Sequence, residues 1–168
     1  MLEIILFVLI VAADQLTKYL TELHIPFQSS VPLWKNVLEL ANVHNTGAAW
    51  GMFAGGRWVF IILTLFVCGF IAYFLRKERG RMSRLARYSL VLIMAGAVGN
   101  LIDRALLGYV RDMISVVLIN FPVFNVADSS VTIGAALLII DTIKNEENSF
   151  FHLLGLNDKN QSGKPDEN

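Results

Sequence analysis

Five aspartates stand in or beside long apolar stretches of this sequence: Asp14, Asp103, Asp112, Asp128 and Asp141. An ionised group at mid-bilayer costs about 2.5–3.5 kcal/mol on insertion scales, so such residues are functional candidates by default. Asp14 and Lys18 are four apart, share a helix face and can pair as a brace. Asp103 is followed by Arg104 and reads as a salt-bridged group at a helix end. Asp141 precedes Lys144 by three and reads as an interfacial charge paired with it. Asp112 and Asp128 differ, because the span pattern below sets both at one depth on neighbouring elements. Two carboxylates held close cannot both ionise cheaply, so one proton is shared between them. That state offers a base to activate water and an acid to protonate a leaving group. Asp128 equally suits the third helical position of a capping box with Asn125 as N-cap. Spacing leaves both roles open.

Other chemistries find less material. His24, His44 and His152 fall outside the apolar spans, and there is no H-E-x-x-H and no G-x-S-x-G. Cys68 is the single cysteine, so no internal disulfide and no structural zinc site is expected. Ser129 and Ser130 share their depth with Lys18 and leave a Ser–Lys pair as the weaker alternative. The stretch Asn45-Thr-Gly-Ala-Ala-Trp50-Gly51 suits either a tight packing turn or a substrate contact through Asn45.

The elements that must carry these residues are membrane spans. The chain is 55% hydrophobic and 17% charged over 168 residues, with mean hydropathy +0.55. A soluble domain has about 25% charged residues. Lys and Arg (14) balance Asp and Glu (14), so no net field recruits nucleic acid. Spans of about 20 apolar residues are needed to cross a bilayer, and four fit: about 2–20, 57–75, 88–107 and 124–143. The first could be a cleaved signal peptide, but Glu3 stands where such a peptide carries positive charge, so it reads as a retained helix. The connection 76–87 holds Arg76, Lys77, Arg79, Arg81, Arg84 and Arg87, which assigns it to the cytoplasm. Both termini then lie inside, and the segments 21–56 and 108–123 face out. The apolar run 113–124, interrupted by Pro122, reads as a short strand or flap at the headgroups. Residues 1–144 form the membrane domain, and 145–168 a loosely ordered polar cytoplasmic tail. The fold class is an all-α integral membrane protein of four transmembrane helices, with an extracytoplasmic interfacial segment able to form short β-strands.

Asp14-Gln-Leu-Thr-Lys18, Asn45-Thr-Gly-Ala-Ala-Trp50, Gly99-Asn-Leu-Ile-Asp-Arg104, Gly108-Tyr-Val-Arg-Asp112 and Phe124-Asn-Val-Ala-Asp-Ser129 occur in this order. The ordered set resembles the bacterial lipoprotein signal peptidase (signal peptidase II) family. The resemblance implies an intramembrane aspartyl endopeptidase of the inner membrane, monomeric and without metal or cofactor. Its active site would face the extracytoplasmic side. It would cut a diacylglyceryl-modified prolipoprotein on the amino side of the lipidated cysteine, contact membrane lipid, and bind globomycin-type inhibitors. The catalytic pair would be Asp112 and Asp128, supported by Asp14, Lys18, Asn45, Asn100, Asp103, Arg104 and Asn125. The family usually has apolar residues around the first aspartate, whereas Arg111 and Met113 flank it here; Arg111 is expected to snorkel to headgroups. A rival reading, a proton-coupled transporter, would spread relay acids through the bilayer. Here Asp14, Asp103, Asp112 and Asp128 gather toward one face.

Overall fold

The computed structural model describes residues 1–47, 56–145 and 150–155. Among the described residues, four helices are long and apolar enough to cross a membrane: α1 (Leu2–His24), α2 (Arg57–Glu78), α3 (Arg84–Leu106) and α4 (Val126–Lys144). Between α1 and α2 run β1 (Ser30–Trp34) and β2 (Leu38–Asn45). Between α3 and α4 run β3 (Val110–Val116) and a 3₁₀ turn at Val117–Ile119. A short α5 (Phe150–Leu153) follows α4. The four-span architecture with a small sheet matches the sequence reading. The helices start or end a few residues away from the expected limits: α1 runs on to His24, and α3 begins at Arg84, capped by Ser83, which accepts from the Ala86 amide (2.9 Å).

Helix α3 is the centre of the bundle, packed on α1, α2 and α4. Lipid offers no hydrophobic drive for helix association, so close backbone approach through small residues has to supply the packing. A side chain at Gly96 would run into the Ala127 carbonyl, and one at Gly134 would come within 2.8 Å of the Ser89 carbonyl. At Gly99 an added carbon would lie 2.6 Å from the Asp14 carboxylate, so that glycine also lets α1 approach α3. The outer faces of α1 and α2 present Leu2, Ile4, Val8, Leu9, Val59, Ile62, Leu63 and Phe66, all exposed on the protein surface. Contiguous exposed apolar surface of this extent is a lipid-facing surface.

At one end of the bundle the sheet closes over the helices in the order β1-β2-β3, all antiparallel. Leu40 pairs with Ile114 and Val43 with Asp112, so Ala41 and Asn42 together oppose Met113. This bulge frees the Met113 amide to donate to the Phe124 carbonyl (2.9 Å), as the Ile114 amide also does (2.8 Å). Strand β3 is thereby tied to the lead-in of α4, and bulges of this kind re-aim neighbouring side chains. The expected strand within the apolar run is present, followed by a turn whose Leu118 and Ile119 are exposed.

The arginine-rich end differs from expectation in two respects. Asp141 is fully buried and, among the described residues, pairs with no lysine. It accepts from the Ser83 hydroxyl and from Asn145 Nδ2 (2.9 Å), which joins the end of α4 to the start of α3. The i,i+3 rule fails here because Asp141 points into the α3–α4 seam while Lys144 is exposed. Second, part of the tail is packed: Phe150 lies edge-on to Phe74 (4.8 Å) in a cluster with Ile71, Met82, Ala86, Leu90 and Leu138. The tail carries its own apolar anchor, which the polar residues around it obscured. Glu3 crosses to α2 and α3, accepting from Arg79 (2.7 Å) beside Arg87 (3.4 Å).

Glycine substitutions separate packing from propensity. Gly96→Val forces α3 and α4 apart and is expected to destabilise by about 1–3 kcal/mol or more. Gly69→Ala, with nothing within 4 Å, is expected to stabilise by roughly 0.5–1 kcal/mol through helix propensity. Thermal unfolding of both variants in one detergent checks the opposite signs.

Candidate active site

Helix α3 ends where Gly108 takes a left-handed conformation (φ +88°) and turns the chain back as β3. Four residues on, Asp112 points into a cleft of about 1220 Å³ beside Val43, Asn45, Asn100, Arg104, Asp128, Ser129, Thr132 and the 120–124 loop. Asp112 is 4% exposed. Its Oδ1 accepts from Asn125 Nδ2 (2.7 Å) and its Oδ2 from Asn45 Nδ2 (3.0 Å). Asp128, on the first turn of α4, has Oδ1 bound by Asn100 Nδ2 (2.7 Å) and Oδ2 by the Asn125 backbone amide (3.1 Å).

Asn125 is the hinge of the arrangement. Its Oδ1 accepts from the Asp128 amide (2.9 Å), completing a capping box that starts α4. Its Nδ2 faces Asp112 Oδ1, Asn100 Oδ1 (3.1 Å) and the Arg111 carbonyl (3.3 Å). The capping role considered for Asp128 is present, and the cap itself holds this carboxylate at the cleft. Among the described residues, amides rather than cations bind both carboxylates. Burial, and then the charge of Asp128, push Asp112 up to about 7. Around neutral pH the pair thus holds a proton it can give or take. Among the described residues no three of His, Cys, Asp or Glu are grouped to hold a metal ion.

Beneath the cleft lies a second, fully buried group. Lys18 Nζ reaches Asp14 Oδ2 (2.8 Å), Asn100 Oδ1 (2.9 Å) and Asp103 Oδ2 (3.4 Å), so its three protons meet three acceptors. Asp14 Oδ1 also accepts the Ala127 amide (2.9 Å), one of the free N–H groups at the start of α4. The expected Asp14–Lys18 brace is present, extended across three helices.

Other expectations change. Asp103 pairs with Lys18 and Arg111 rather than with Arg104, because a neighbour in sequence on a helix points about 100° away. Arg104 touches neither cleft carboxylate; it donates to the Gly47 carbonyl (3.2 Å) and lies 4.8 Å over the Phe60 ring. Arg111 turns inward, 13% exposed, instead of snorkelling. Asn45 to Gly47 form a turn in which the Gly47 amide donates to Asn45 Oδ1 (2.9 Å), so Asn45 is both turn former and Asp112 ligand. The remaining positions of that stretch, 48–51, lie outside the described residues. Sequence reasoning missed Gln15, which donates toward Asp14, Asp103 and the Gly99 carbonyl (each 3.1 Å), and Glu22, which binds Arg111 (3.1 Å). The signal for Glu22 was available: positions 14, 18 and 22 repeat every four residues on one helix face.

Four spanning helices with two carboxylates, Asp112 buried and Asp128 half-buried, at an open cleft at one end define a multi-pass membrane protein with a paired-carboxylate site. A bacterial membrane enzyme solved by the in meso method superposes with a TM-score of 0.80 at 35% identity, covering 87% of this chain and 90% of its own. The family model described as Signal peptidase (SPase) II matches residues 6–144. The lipoprotein signal peptidase of Bacillus subtilis (strain 168) is 41% identical over 146 residues, 85% of this chain and 94% of its own length. That of Latilactobacillus sakei subsp. sakei (strain 23K) is 42% identical over 148 residues, 88% and 97% respectively. This chain belongs to the signal peptidase II family.

The buried lysine gives a stability test. Lys18→Met leaves the Asp14 charge uncompensated and is expected to cost about 3–5 kcal/mol. Adding Asp14→Asn is expected to restore part of that loss, as read by the unfolding midpoint in detergent.

Proposed function

We propose that this chain is an aspartyl endopeptidase that removes the signal peptide from diacylglyceryl-modified prolipoproteins, cutting on the amino side of the lipidated cysteine. The observation that carries the reading is the pair itself: Asp112, buried, and Asp128, half-buried, share one cleft and are both bound by Asn125. In the reaction the ionised member deprotonates a water and the protonated member polarises the scissile carbonyl, then the proton passes to the leaving nitrogen. Asn45, Asn100 and Asn125 are positioning residues. Amide donors leave the pair able to hold one proton, whereas a bound guanidinium would favour full ionisation. The support from Asp14, Lys18 and Asp103 is indirect, through Asn100 and the start of α4.

Family membership and the four spans support a multi-pass protein of the bacterial inner membrane. The six basic residues of the 76–87 connection support placing that end in the cytoplasm and the sheet end outside. The substrate's lipid chains would stay in the bilayer while the exposed turn at Leu118 and Ile119 meets the interface. Binding energy from these remote parts would orient the scissile bond at the cleft. The cleft is also where a globomycin-type cyclic peptide would bind.

Two measurements test this. Cleavage of a diacylglyceryl-prolipoprotein by detergent-purified protein is expected to vanish in both Asp112→Asn and Asp128→Asn, with folding retained; near-normal turnover in either sinks the dyad. The second is a linkage test. The folded pKa of Asp112, about 7, lies above its unfolded value of about 3.9. Its contribution to stability is therefore full below about pH 4 and is lost as pH rises through 7. Asp112→Asn is expected to abolish that decline in unfolding midpoint between pH 4 and 7.

A further inference from the structure

Strand alternation sends successive side chains to opposite faces. On β3 it sends Asp112 into the cleft and Arg111 the other way, against α1 and α3. There Arg111 Nη2 donates to Asp103 Oδ1 (2.7 Å) and Gln15 Oε1 (3.0 Å), Nη1 to Glu22 Oε2 (3.1 Å), and Nε to Asp103 Oδ2 (3.2 Å). Its backbone amide also donates to Asp103 Oδ2 (2.9 Å). Its carbonyl accepts from the Asn125 Nδ2 that serves Asp112. One residue thus joins α1, α3 and β3 immediately before Asp112.

We propose that Arg111 is a positioning residue for peptide cleavage in this chain, setting the seat of Asp112 and keeping Lys18 on Asn100. This rests on the aspartyl reading given above. The charge of Asp103 is divided between two cations. Asp103 has Arg111 at 2.7 Å and Lys18 only at 3.4 Å, which leaves Lys18 close to Asp14 and Asn100. Without the guanidinium, a fully buried Asp103 draws the ammonium toward itself and away from Asn100 Oδ1. That contact is one of two that fix the Asn100 amide with Nδ2 on Asp128. The disturbance therefore reaches both carboxylates, Asp112 through β3 and Asp128 through Asn100.

The charged and titratable groups around this strut are Asp14, Lys18 and Glu22 on α1, His44 on β2, Asp103 and Arg104 on α3, Tyr109 and Asp112 beside it, and Asp128 on α4. Glu22 is itself held in place. His44 pairs with Arg111 across β2 and β3, lies 3.2 Å from Glu22 Oε1, and stacks on Tyr109 at 3.9 Å. Tyr109 donates its hydroxyl to the same oxygen (3.4 Å). An ordinary partly buried ion pair would affect stability alone; a strut that fixes reacting groups also changes kcat and its pH dependence.

The test is steady-state cleavage of a diacylglyceryl-prolipoprotein across pH by the full-length chain in detergent, at matched folded fraction. Wild type is compared with Arg111→Leu, Arg111→Lys and Glu22→Gln, with Asp112→Asn as the inactive reference. Arg111→Leu is expected to lower kcat on the order of 100-fold with KM little changed. The acidic limb of kcat should move to higher pH, since an ionised pair then loses a donor. Arg111→Lys should recover only part, because an ammonium cannot bridge Asp103 and Glu22 with a planar fork. Glu22→Gln should move the same limb by less. Should Arg111→Leu fail to fold, Arg111→Lys and Glu22→Gln decide, and an unmoved limb in both overturns the proposal. A wild-type profile in Arg111→Leu, or a loss confined to the unfolding midpoint, overturns it too. Wild type that cuts nothing, or an active Asp112→Asn, sinks the aspartyl reading and this inference with it.

Discussion

The contact on which the rest depends is the buried ammonium of Lys18 held by Asp14, Asp103 and Asn100. An unpaired charge in this setting would cost several kcal/mol, so the three acceptors must be brought together before the bundle is stable. They come from α1 and α3, and Asp14 extends the contact to the first amides of α4. Satisfying one cation thereby fixes the relative depth of three helices. Gly99 makes this possible, because any side chain there would displace the Asp14 carboxylate.

From that base the cleft follows by short steps. Lys18 fixes Asn100, whose amide meets Asp128. Asn125 caps α4 and reaches over to Asp112. The economy lies in residues with two tasks: an N-cap that is also a carboxylate ligand, and a helix-start acid that is also a cleft acid. Stability and cleft geometry are linked at these positions, so the polar groups that hold the helix ends together also arrange the cleft. Local strain is not required. The bulge in β2 and the left-handed Gly108 achieve the necessary direction changes with ordinary backbone.

The amide-rich lining has an electrostatic reason. Cations are present close by, at Lys18, Arg104 and Arg111, yet each is spent on another acceptor: Lys18 on the buried acids, Arg104 on the Gly47 carbonyl, Arg111 on Asp103 and Glu22. The cleft pair is consequently bound by neutral donors, which pull Asp112 down less than burial and the neighbouring Asp128 charge push it up. The same accounting explains why Arg111 does not sit in the headgroups: a half-neutralised Asp103 would remain behind it.

How much could be read beforehand divides along range. The four spans, the separation of arginine-rich and acid-rich ends, the Asp14–Lys18 pair and the Asn125–Asp128 cap were legible, because hydropathy and i,i+3 or i,i+4 geometry act within one element. The ordered motifs pointed to Asp112 and Asp128 by likeness, whereas spacing alone set them at one depth and left a shared-proton pair and a helix cap both open. Pairings between elements were where local rules misled: Asp103 with Arg111 instead of Arg104, Asp141 with Ser83 instead of Lys144, and Arg111 turned inward. In each case the sequence determined which charges exist and on which face of a helix or strand they stand. Only the tertiary packing decided which of them meet, because a buried charge takes its partner from whichever neighbouring element the close helix contacts bring within reach.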